Sequence, residues 1–308
     1  MSEPSAARSA RVFVGPDRPA LLRAAVERAG GSLASAADAN VVIWTSGNAD
    51  ELRSVLHPGV EWVQLASAGV EDWLDSGLVD DTRVWTSARG LYSARVAEHV
   101  VALILAAAKG LAGAARRETW TEHEIDLLEG ATVGIVGAGG IGAETFRRLE
   151  AFGVRRIGLT RSGASVPGAD LSAGPDGLDD LLRESDYAVL AAPLTPETEH
   201  LVGARELALL GPRGWLVNVA RGRLVNTEAL LDALRGGVVA GACLDVTDPE
   251  PLPDGHPLWH CDNVLITPHV ANPWSRHDDL LAVRVADNLE RFQSGRDLLA
   301  EVDPARGY

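Results

Sequence analysis

The sequence predicts an α/β protein made of two doubly wound, parallel-sheet domains. Short apolar runs alternate with amphipathic helical patterns along most of its 308 residues, as they do in parallel sheets with crossover helices. The alternation begins twice, first with four strand candidates and then with six. A chain of this length can bury more than one hydrophobic core, which agrees with two domains.

In the first part, the runs RVFV, VVIW, EWVQLA and RVWTS predict strands. DRPALLRAAVERAGG, between the first two, predicts a helix capped by Asp17, with Pro19 in its first turn and Gly30 at its end. A long apolar helix is predicted to begin near Ser93.

In the second part, six further runs predict strands: TVGIVG, RIGLT, YAVLAA, WLVNVA, VVAGACLDV and NVLITP. Six strands with crossover helices are what a complete dinucleotide-binding domain requires. A last helical pattern, about 276–293, has no following strand, so we place it against the first domain. The predicted domains are therefore residues 1–92 with 276–308, and residues 93–275.

Composition and charge exclude several classes of partner. The formal net charge of −15 argues against binding to nucleic acid, which needs a basic surface. The longest apolar run, VVALILAAA, is too short to span a bilayer. The first ten residues, MSEPSAARSA, lack the apolar stretch of a secretory signal. We therefore expect a cytoplasmic protein without a membrane partner.

Cysteine and histidine spacing predicts no metal site. Cys243 and Cys261 do not form a CxxC pair, and no HExxH motif occurs. His99 lies inside the long apolar helix. For His99 we favour a side chain satisfied by hydrogen bonds over a functional one.

A glycine motif, Gly137-x-Gly139-x-x-Gly142, follows an apolar strand and opens a helical pattern. In a dinucleotide site the first glycine makes a tight turn, the second admits a pyrophosphate, and the third allows close helix packing. Gly140 and Ile141 then lie at the helix N-terminus, where amide groups attract an anion. The alternative is an ordinary glycine-rich turn.

The second strand of this domain ends in RIGLTRSG, without the acidic residue that binds the ribose in NAD sites. Thr160, Arg161 and Ser162 stand there instead. A guanidinium attracts the 2′-phosphate of NADP and can bind it through two hydrogen bonds. We therefore predict NADP as the preferred cofactor, with NAD possible if Arg161 is only a surface residue.

Three isolated residues follow strand candidates of the second domain: Arg221, Glu250 and His269. Ligands of open α/β sheets bind outside the carboxyl ends of strands, so these positions suit chemistry. Each also has a simpler explanation, as a surface charge, a loop acid and a turn residue.

Six segments together resemble the D-2-hydroxyacid dehydrogenase family, over nearly the whole chain. They are VAEHVVALILA, GIVGAGGIG, PLTPET, LVNVARGRLVNTEALLDAL, CLDVTDPEPLP and ITPHVA. The resemblance implies a Rossmann dinucleotide-binding domain and a flavodoxin-like, discontinuous substrate domain. It also implies a catalytic trio, which falls on Arg221, Glu250 and His269.

The chemistry of a 2-oxo acid agrees with those roles. Arg221 can bind its carboxylate and polarise its ketone. His269 can supply the proton that the reduced oxygen needs, and Glu250 can hold the imidazole in its charged form.

The resemblance implies further contacts. Ala68, Gly69 and Val70 would form a loop that binds the carboxylate of the substrate, although this loop could equally be a simple turn. Cofactor contacts would come from Pro193, Leu194, Thr195, Thr198, Val219, Ala220, Asp245 and His269. Asp245 matches the family residue that contacts the nicotinamide amide, and a helix cap is its second explanation. Tyr92, Trp120, Trp274 and Arg276 could shape the substrate mouth, but packing, or a helix start for Arg276, is the favoured explanation.

These observations predict an NADPH-preferring reductase of small 2-oxo acids, with glyoxylate or hydroxypyruvate as leading candidates. The alternatives are an NAD-using enzyme like phosphoglycerate dehydrogenase and a cofactor-sensing scaffold of the corepressor type. The absence of an extra segment after residue 308 disfavours the first. A formate dehydrogenase relative is disfavoured because DPEPLP supplies a glutamate that formate oxidation does not need. By resemblance, the long apolar helix is expected to bury its excess apolar surface in a homodimer interface.

Overall fold

The computed structural model describes residues 8–273 and 276–307. The chain divides into two compact units. One contains the described residues before 93 and from 273 onward, and the other is Ser93–Asn272. Each unit has its own parallel sheet with helices, so the predicted fold class is confirmed.

The elements follow one another in the alternating order expected of α/β units. The strands are β1 (Arg11–Gly15), β2 (Ser32–Leu33), β3 (Val41–Trp44), β4 (Trp62–Leu65), β5 (Val84–Thr86), β6 (Thr132–Val136), β7 (Arg155–Leu159), β8 (Leu171–Ala173), β9 (Tyr187–Leu190), β10 (Trp215–Asn218), β11 (Gly241–Leu244) and β12 (Val264–Ile266). The helices are α1 (Ala20–Arg28), α2 (Ala49–Val55), α3 (Glu71–Asp75), α4 (Ser93–Ala108), α5 (Leu111–Ala115), α6 (Gly140–Leu149), α7 (Leu178–Glu184), α8 (Ala204–Leu210), α9 (Thr227–Arg235) and α10 (His277–Gln293).

The sheet of the first unit has the strand order β2-β1-β3-β4-β5, with parallel pairing throughout. Because side chains alternate between the faces of a strand, Val12 and Val14 lie in a core with α1 and α10. Phe13 lies on the opposite face, in a core with Leu52 of α2 and Trp73 of α3. Both faces are covered, which explains why β3 and β4 are buried at every position.

Helix α10 returns to this first unit after the chain has left the second. Its Leu281, Val285 and Leu289 are buried against α1 and the sheet. The buried Asn288 joins α10 to the following segment, since its side-chain oxygen accepts a hydrogen bond from the amide of Leu299 at 2.7 Å. The C-terminal part of the chain is therefore integral to the first core.

The sheet of the second unit has the order β12-β11-β10-β9-β6-β7-β8, again parallel. The chain passes from β6 through β7 to β8, returns to β9 on the other side of β6, and continues to β12. Strand order therefore reverses between β6 and β9. In open α/β sheets such a reversal marks the crevice where ligands bind.

Helix α4 begins the second unit and has the residues predicted for a long apolar helix. It packs against α6 and the sheet with one buried face that includes Val96, Val100, Leu103 and Ile104. No helix in residues 8–273 or 276–307 combines the length and apolarity needed to cross a membrane.

Asp17 is not the cap that the sequence predicts for α1. The helix begins at Ala20 with Pro19 in the N-cap position, and no side chain caps it. The backbone oxygen of Asp17 instead accepts a hydrogen bond from the hydroxyl of Thr45 at 3.1 Å. The predicted end of α1 is confirmed, because Gly30 has a φ of 79°, a left-handed conformation that glycine adopts without steric cost.

Two strands, β2 and β8, are not predicted from the sequence. They are only two and three residues long, and each lies at an edge of its sheet with one pairing neighbour. Neither strand has a buried residue, whereas the edge strands β5 and β12 each have at least one, so no apolar run marks β2 or β8 in the sequence.

Candidate active site

The predicted cofactor and catalytic residues of the second unit gather at the carboxyl edge of its sheet. They lie in the turn after β6 and at or after the ends of β7, β9, β10, β11 and β12. Parallel strands bring such ends to one edge, which explains how residues far apart in the chain become neighbours.

Gly137 makes the tight turn after β6. Its φ is 78°, and a Cβ atom there would lie 2.4 Å from the Cα of Ala192. Close packing recurs at Gly142, where a Cβ atom would lie 2.8 Å from the Cβ of Ala138. Two of the three motif glycines are thus required by the neighbouring backbone or side chains.

Gly139 has a different environment. A Cβ atom at this position would meet no atom within 4 Å, so the space beside its backbone is open. Gly139 is the N-cap residue of α6, and no described side chain caps this helix. The amides of Gly140 and Ile141 begin the helix at this opening. This arrangement fits the pyrophosphate of a dinucleotide, because helix N-termini stabilise anions.

The turn after β7 is held by its own hydrogen bonds. The hydroxyl of Thr160 donates to the backbone oxygen of Ala164 at 3.3 Å, and the hydroxyl of Ser162 accepts from the amide of Ala164 at 3.4 Å. Arg161 is exposed between them. The pKa of Glu197 is lowered, first by a hydrogen bond from Thr195 and to a smaller extent by the charge of Arg161. Arg161 is therefore electrostatically linked to the loop after β9.

The loop after β9 contains the predicted cofactor residues Pro193, Leu194, Thr195 and Thr198. The hydroxyl of Thr198 donates to the backbone oxygen of Pro193 at 2.7 Å and accepts from the amide of Thr195 at 2.8 Å. Leu194 is buried. A single hydroxyl thus closes this loop and fixes the backbone between its two ends.

The residues after β10 are held by Asn218, which sequence reasoning missed. Its side-chain oxygen accepts from the amide of Ala220 at 3.1 Å, and its side-chain nitrogen donates to the backbone oxygen of Arg221 at 2.8 Å. Val219 and Ala220 are buried. The sequence feature that could have identified Asn218 is its position as a single polar residue within the apolar run WLVNVA.

Gly222 lets this segment approach the loop after β11. A Cβ atom on Gly222 would lie 1.9 Å from the backbone oxygen of Thr247, so no other residue fits there without moving a backbone. This close approach places the backbone next to Arg221 beside the loop that continues to Glu250.

Glu250 and His269 form a hydrogen-bonded ion pair. The distance from Oε1 of Glu250 to Nδ1 of His269 is 2.7 Å, and both side chains are partly exposed. The hydrogen bond from Glu250 is the largest influence on His269 and raises the pKa of its imidazole. Reciprocally, the hydrogen bond from His269 lowers the pKa of Glu250. The pair therefore favours an imidazolium beside a carboxylate.

Arg221 belongs to the same electrostatic cluster. Its charge acts to lower the pKa of both His269 and Glu250, although less strongly than the bond between them. Its Nη1 donates to the backbone oxygen of Ala220 at 2.6 Å. The structure thus brings together the three residues for which the sequence predicts catalysis.

Asp245 lies buried behind His269. Burial alone would raise the pKa of its carboxyl group, but hydrogen bonds from His99, Thr267 and two backbone amides lower this pKa to about 2. The two amides belong to Val270 and Ala271, at 2.9 and 3.0 Å. These residues lie in a loop, so the helix-cap explanation for Asp245 is wrong. The hydrogen bonds of His99 agree with the prediction that its ring is satisfied.

The predicted substrate loop belongs to the first unit. It follows β4, with Ala68 exposed, Gly69 partly exposed and Val70 buried. Within the described part of the chain, no group accepts a hydrogen bond from the three backbone amides of this loop. Such amides can bind an anion, which agrees with the predicted role.

The residues considered for the substrate mouth differ in their burial and position. Tyr92 is buried and donates to the backbone oxygen of Ala66 at 3.0 Å, so packing explains it. Trp120 is fully exposed, and the packing explanation is wrong for it within this chain. Its segment has no regular secondary structure and offers the ring no core. Arg276 occupies the N-cap position of α10, and Trp274 lies outside the described residues.

No group of three or more His, Cys, Asp or Glu side chains able to hold a metal ion occurs among the residues that the structure describes. Cys243 and Cys261 are both free thiols, and burial raises the pKa of Cys243 to about 12. A thiol held protonated in this way is not a nucleophile.

Comparison with known proteins gives one family. The family model described as "D-isomer specific 2-hydroxyacid dehydrogenase, NAD binding domain" matches residues 101–271. Glyoxylate reductase of Aeropyrum pernix is 39% identical over 223 residues, which are 68% of this chain and 67% of that protein.

Solved structures of similar proteins cover almost the whole chain. A D-isomer specific 2-hydroxyacid dehydrogenase from Xanthobacter autotrophicus Py2, in complex with NADPH and MES, has a TM-score of 0.86 at 28% identity and covers 98% of this chain and 100% of its own. An NADPH-dependent glyoxylate/hydroxypyruvate reductase from Sinorhizobium meliloti, in complex with NADP and sulfate, has a TM-score of 0.83 at 28% identity. It covers 97% of this chain and 100% of its own.

Replacing Gly139 tests whether the cofactor occupies the open space beside its backbone. Gly139→Ala is expected to weaken NADPH binding about tenfold, because the added methyl group occupies the space a pyrophosphate needs. The melting temperature should stay unchanged, since no protein atom lies within 4 Å of that methyl group. Fluorescence titration with NADPH and thermal unfolding measure the two effects.

Two glycines serve as controls. Gly47→Ala, also without neighbours within 4 Å, should change neither quantity, whereas Gly137→Ala should lower the melting temperature because of its positive φ and its backbone clash. Unchanged NADPH affinity in Gly139→Ala would contradict the assignment of the open space to the cofactor.

Proposed function

We propose that this chain, which belongs to the D-isomer specific 2-hydroxyacid dehydrogenase family, is an NADPH-dependent reductase of small 2-oxo acids. Glyoxylate and hydroxypyruvate are the proposed substrates. The observation that carries the proposal is the 2.7 Å hydrogen bond between Glu250 and His269, in one electrostatic cluster with Arg221. Such a cluster has the groups needed to bind a 2-oxo acid and protonate its ketone oxygen.

Arg221 is the proposed substrate-binding cation. A 2-oxo acid has a carboxylate beside a ketone, and a planar guanidinium can donate parallel hydrogen bonds to two adjacent oxygens. This contact orients the ketone and stabilises negative charge on its oxygen during reduction. We also assign the amides of Ala68, Gly69 and Val70 to the substrate carboxylate.

His269 is the proposed proton donor. Its Nδ1 is bonded to Glu250, so Nε2 is the ring nitrogen left to face the ketone oxygen. Because Glu250 raises the pKa of His269, the proton-donating imidazolium persists to higher pH than for an isolated histidine. When bound, NADPH supplies the hydride, and in the oxidative direction neutral His269 accepts the proton of the alcohol.

The relatives support the choice of substrate. The matched protein of Aeropyrum pernix is a glyoxylate reductase, and the similar structure from Sinorhizobium meliloti is an NADPH-dependent glyoxylate/hydroxypyruvate reductase. These relatives do not favour a phosphoglycerate dehydrogenase-like enzyme or a corepressor-type scaffold. The cytoplasmic location stays a prediction.

A panel of 2-oxo acids tests the proposed function. With NADPH absorbance as the readout, glyoxylate and hydroxypyruvate should give the highest kcat/KM among acids that include pyruvate and 3-phosphohydroxypyruvate. His269→Gln should lower kcat by about two orders of magnitude or more, as loss of a general acid does, while NADPH affinity stays close to that of wild type. Absence of turnover with every acid would contradict an enzymatic role and favour the scaffold.

Preference for NADP is assigned to Arg161. It is exposed after β7, where the sequence has no acidic residue. A carboxylate would repel a 2′-phosphate, whereas a guanidinium attracts it. The hydroxyls of Thr160 and Ser162 lie on either side in the chain and are further proposed donors.

Arg161→Asp should lower the ratio of kcat/KM with NADPH to kcat/KM with NADH by about tenfold or more, because the phosphate then faces a negative charge. Arg213→Asp makes the same change of charge in an exposed residue before β10, at the opposite edge of the sheet. It should leave the ratio unchanged. Equal ratios in wild type and Arg161→Asp would contradict the proposal that Arg161 binds the 2′-phosphate of NADP.

A homodimer is the proposed assembly, formed through the dinucleotide-binding unit. Large apolar side chains are exposed in and after α5: Leu111 (51%), Trp120 (100%), Ile125 (53%) and Leu127 (67%). Residues 116–127 have no helix or strand of their own. Because exposed large apolar side chains favour association, we assign this segment to the contact with a second copy of the chain. The family resemblance implies that the excess apolar surface of α4 lies in the same interface.

Trp120→Asp should convert the dimer into a monomer, since it places a charge in the buried centre of the proposed interface. Sedimentation velocity at micromolar concentration measures the change. Val283→Asp, in an apolar residue of α10 that is 57% exposed, is the matched control and should remain dimeric. A monomeric wild-type protein would contradict the proposed assembly.

A further inference from the structure

His99 links α4 to the loop that carries His269. Its Nε2 lies 3.0 Å from the hydroxyl oxygen of Thr267 and 3.3 Å from Oδ1 of Asp245. The hydroxyl of Thr267 is in turn 2.6 Å from the same carboxylate oxygen. The three side chains form a connected hydrogen-bond network behind the proposed active site.

The chemistry of the network fixes the direction of its hydrogen bonds. The carboxyl group of Asp245, with a pKa of about 2, is ionised near neutral pH and only accepts. The hydroxyl proton of Thr267 is therefore directed to Asp245, and the hydroxyl oxygen can only accept from His99. Nε2 of His99 must then carry a hydrogen, which selects one tautomer of this ring.

The other end of the network holds the backbone around His269. Oδ1 and Oδ2 of Asp245 accept hydrogen bonds from the amides of Val270 and Ala271, and the backbone oxygen of Asp245 accepts one from the amide of His269 at 2.8 Å. His269 has a φ of 51°, a left-handed conformation that costs free energy in a residue other than glycine. Three hydrogen bonds to one buried residue oppose relaxation of that conformation.

We propose that His99 is a positioning residue for the acid–base pair, acting through Thr267 and Asp245 to hold the loop in which His269 meets Glu250. This inference rests on the proposed function only in assigning proton donation to His269. The positioning itself concerns the bond between Nδ1 of His269 and Glu250, which can be measured without turnover.

The charges that act on His269 define the expected direction. Glu250 raises its pKa most strongly through the hydrogen bond, Arg221 acts to lower it, and Asp245 acts to raise it. A loosened loop lengthens the bond to Glu250, the largest of these contributions. The pKa of His269 should then fall toward that of an isolated histidine.

Two variants of His99 separate positioning from packing. The terminal amide nitrogen of a glutamine side chain reaches about as far as Nε2 of histidine, so His99→Gln keeps a donor for Thr267. His99→Met has a similar length but no donor. Thr267→Val removes the hydroxyl link at nearly equal volume and provides a second test should His99→Met fold poorly.

The readout is the imidazole pKa of His269, followed by NMR of selectively labelled histidine and assigned with His269→Gln. We expect His99→Met and Thr267→Val to lower this pKa by about half a unit or more, and His99→Gln to restore it. In parallel, kcat for 2-oxo acid reduction should fall about three- to tenfold in the first two variants, as for loss of one ordinary hydrogen bond. KM should change less than kcat.

The same His269 pKa in wild type, His99→Met and Thr267→Val would overturn the positioning role, even if the melting temperature of the variants fell. Lack of turnover in the wild type would contradict the proposed function alone, because the NMR titration does not depend on catalysis. The two failures are therefore distinguishable.

Discussion

The hydrogen bond between Nδ1 of His269 and Oε1 of Glu250 is the interaction on which the proposed chemistry depends. It raises the pKa of the histidine and lowers that of the glutamate, so the imidazole keeps its proton to higher pH than an isolated histidine would. The two residues follow β11 and β12, which pair in parallel. Their carboxyl ends therefore share one edge of the sheet, and the loops after them bring together Glu250 and His269, which are 19 positions apart in the sequence.

Buried polar groups fix the loops that bear this pair. Asn218, the last residue of β10, forms hydrogen bonds with the backbone of Ala220 and Arg221 just after the strand, and Asp245 accepts hydrogen bonds from two amides beyond His269. Leaving such buried groups unpaired costs about 1–3 kcal/mol each, which favours one loop conformation. Gly222 adds a steric constraint, since any side chain there would overlap the backbone oxygen of Thr247. The apolar sheet supplies stability, while these few polar contacts determine where Arg221 and His269 lie.

Apolar runs predict the main strands because their side chains are buried on both faces of parallel sheets, and the glycine spacing predicts the turn after β6. The edge strands β2 and β8 leave no such pattern. Local sequence patterns also do not identify hydrogen-bond partners that are distant in the chain. His99 and Thr267 are 168 positions apart, so the sequence predicts that His99 forms hydrogen bonds but does not predict with which residue. Asp17 shows the reverse case, because a residue typical of helix caps bonds elsewhere through its backbone.

The pH dependence of 2-oxo acid reduction by Glu250→Gln tests the central claim most directly. Glutamine keeps the shape of the side chain but removes the charge that raises the pKa of His269. Protonated His269 is required for reduction, so kcat/KM falls as pH rises through this pKa. The account predicts that this alkaline limb moves to lower pH in Glu250→Gln than in wild type. An alkaline limb at the same pH in both proteins would contradict it.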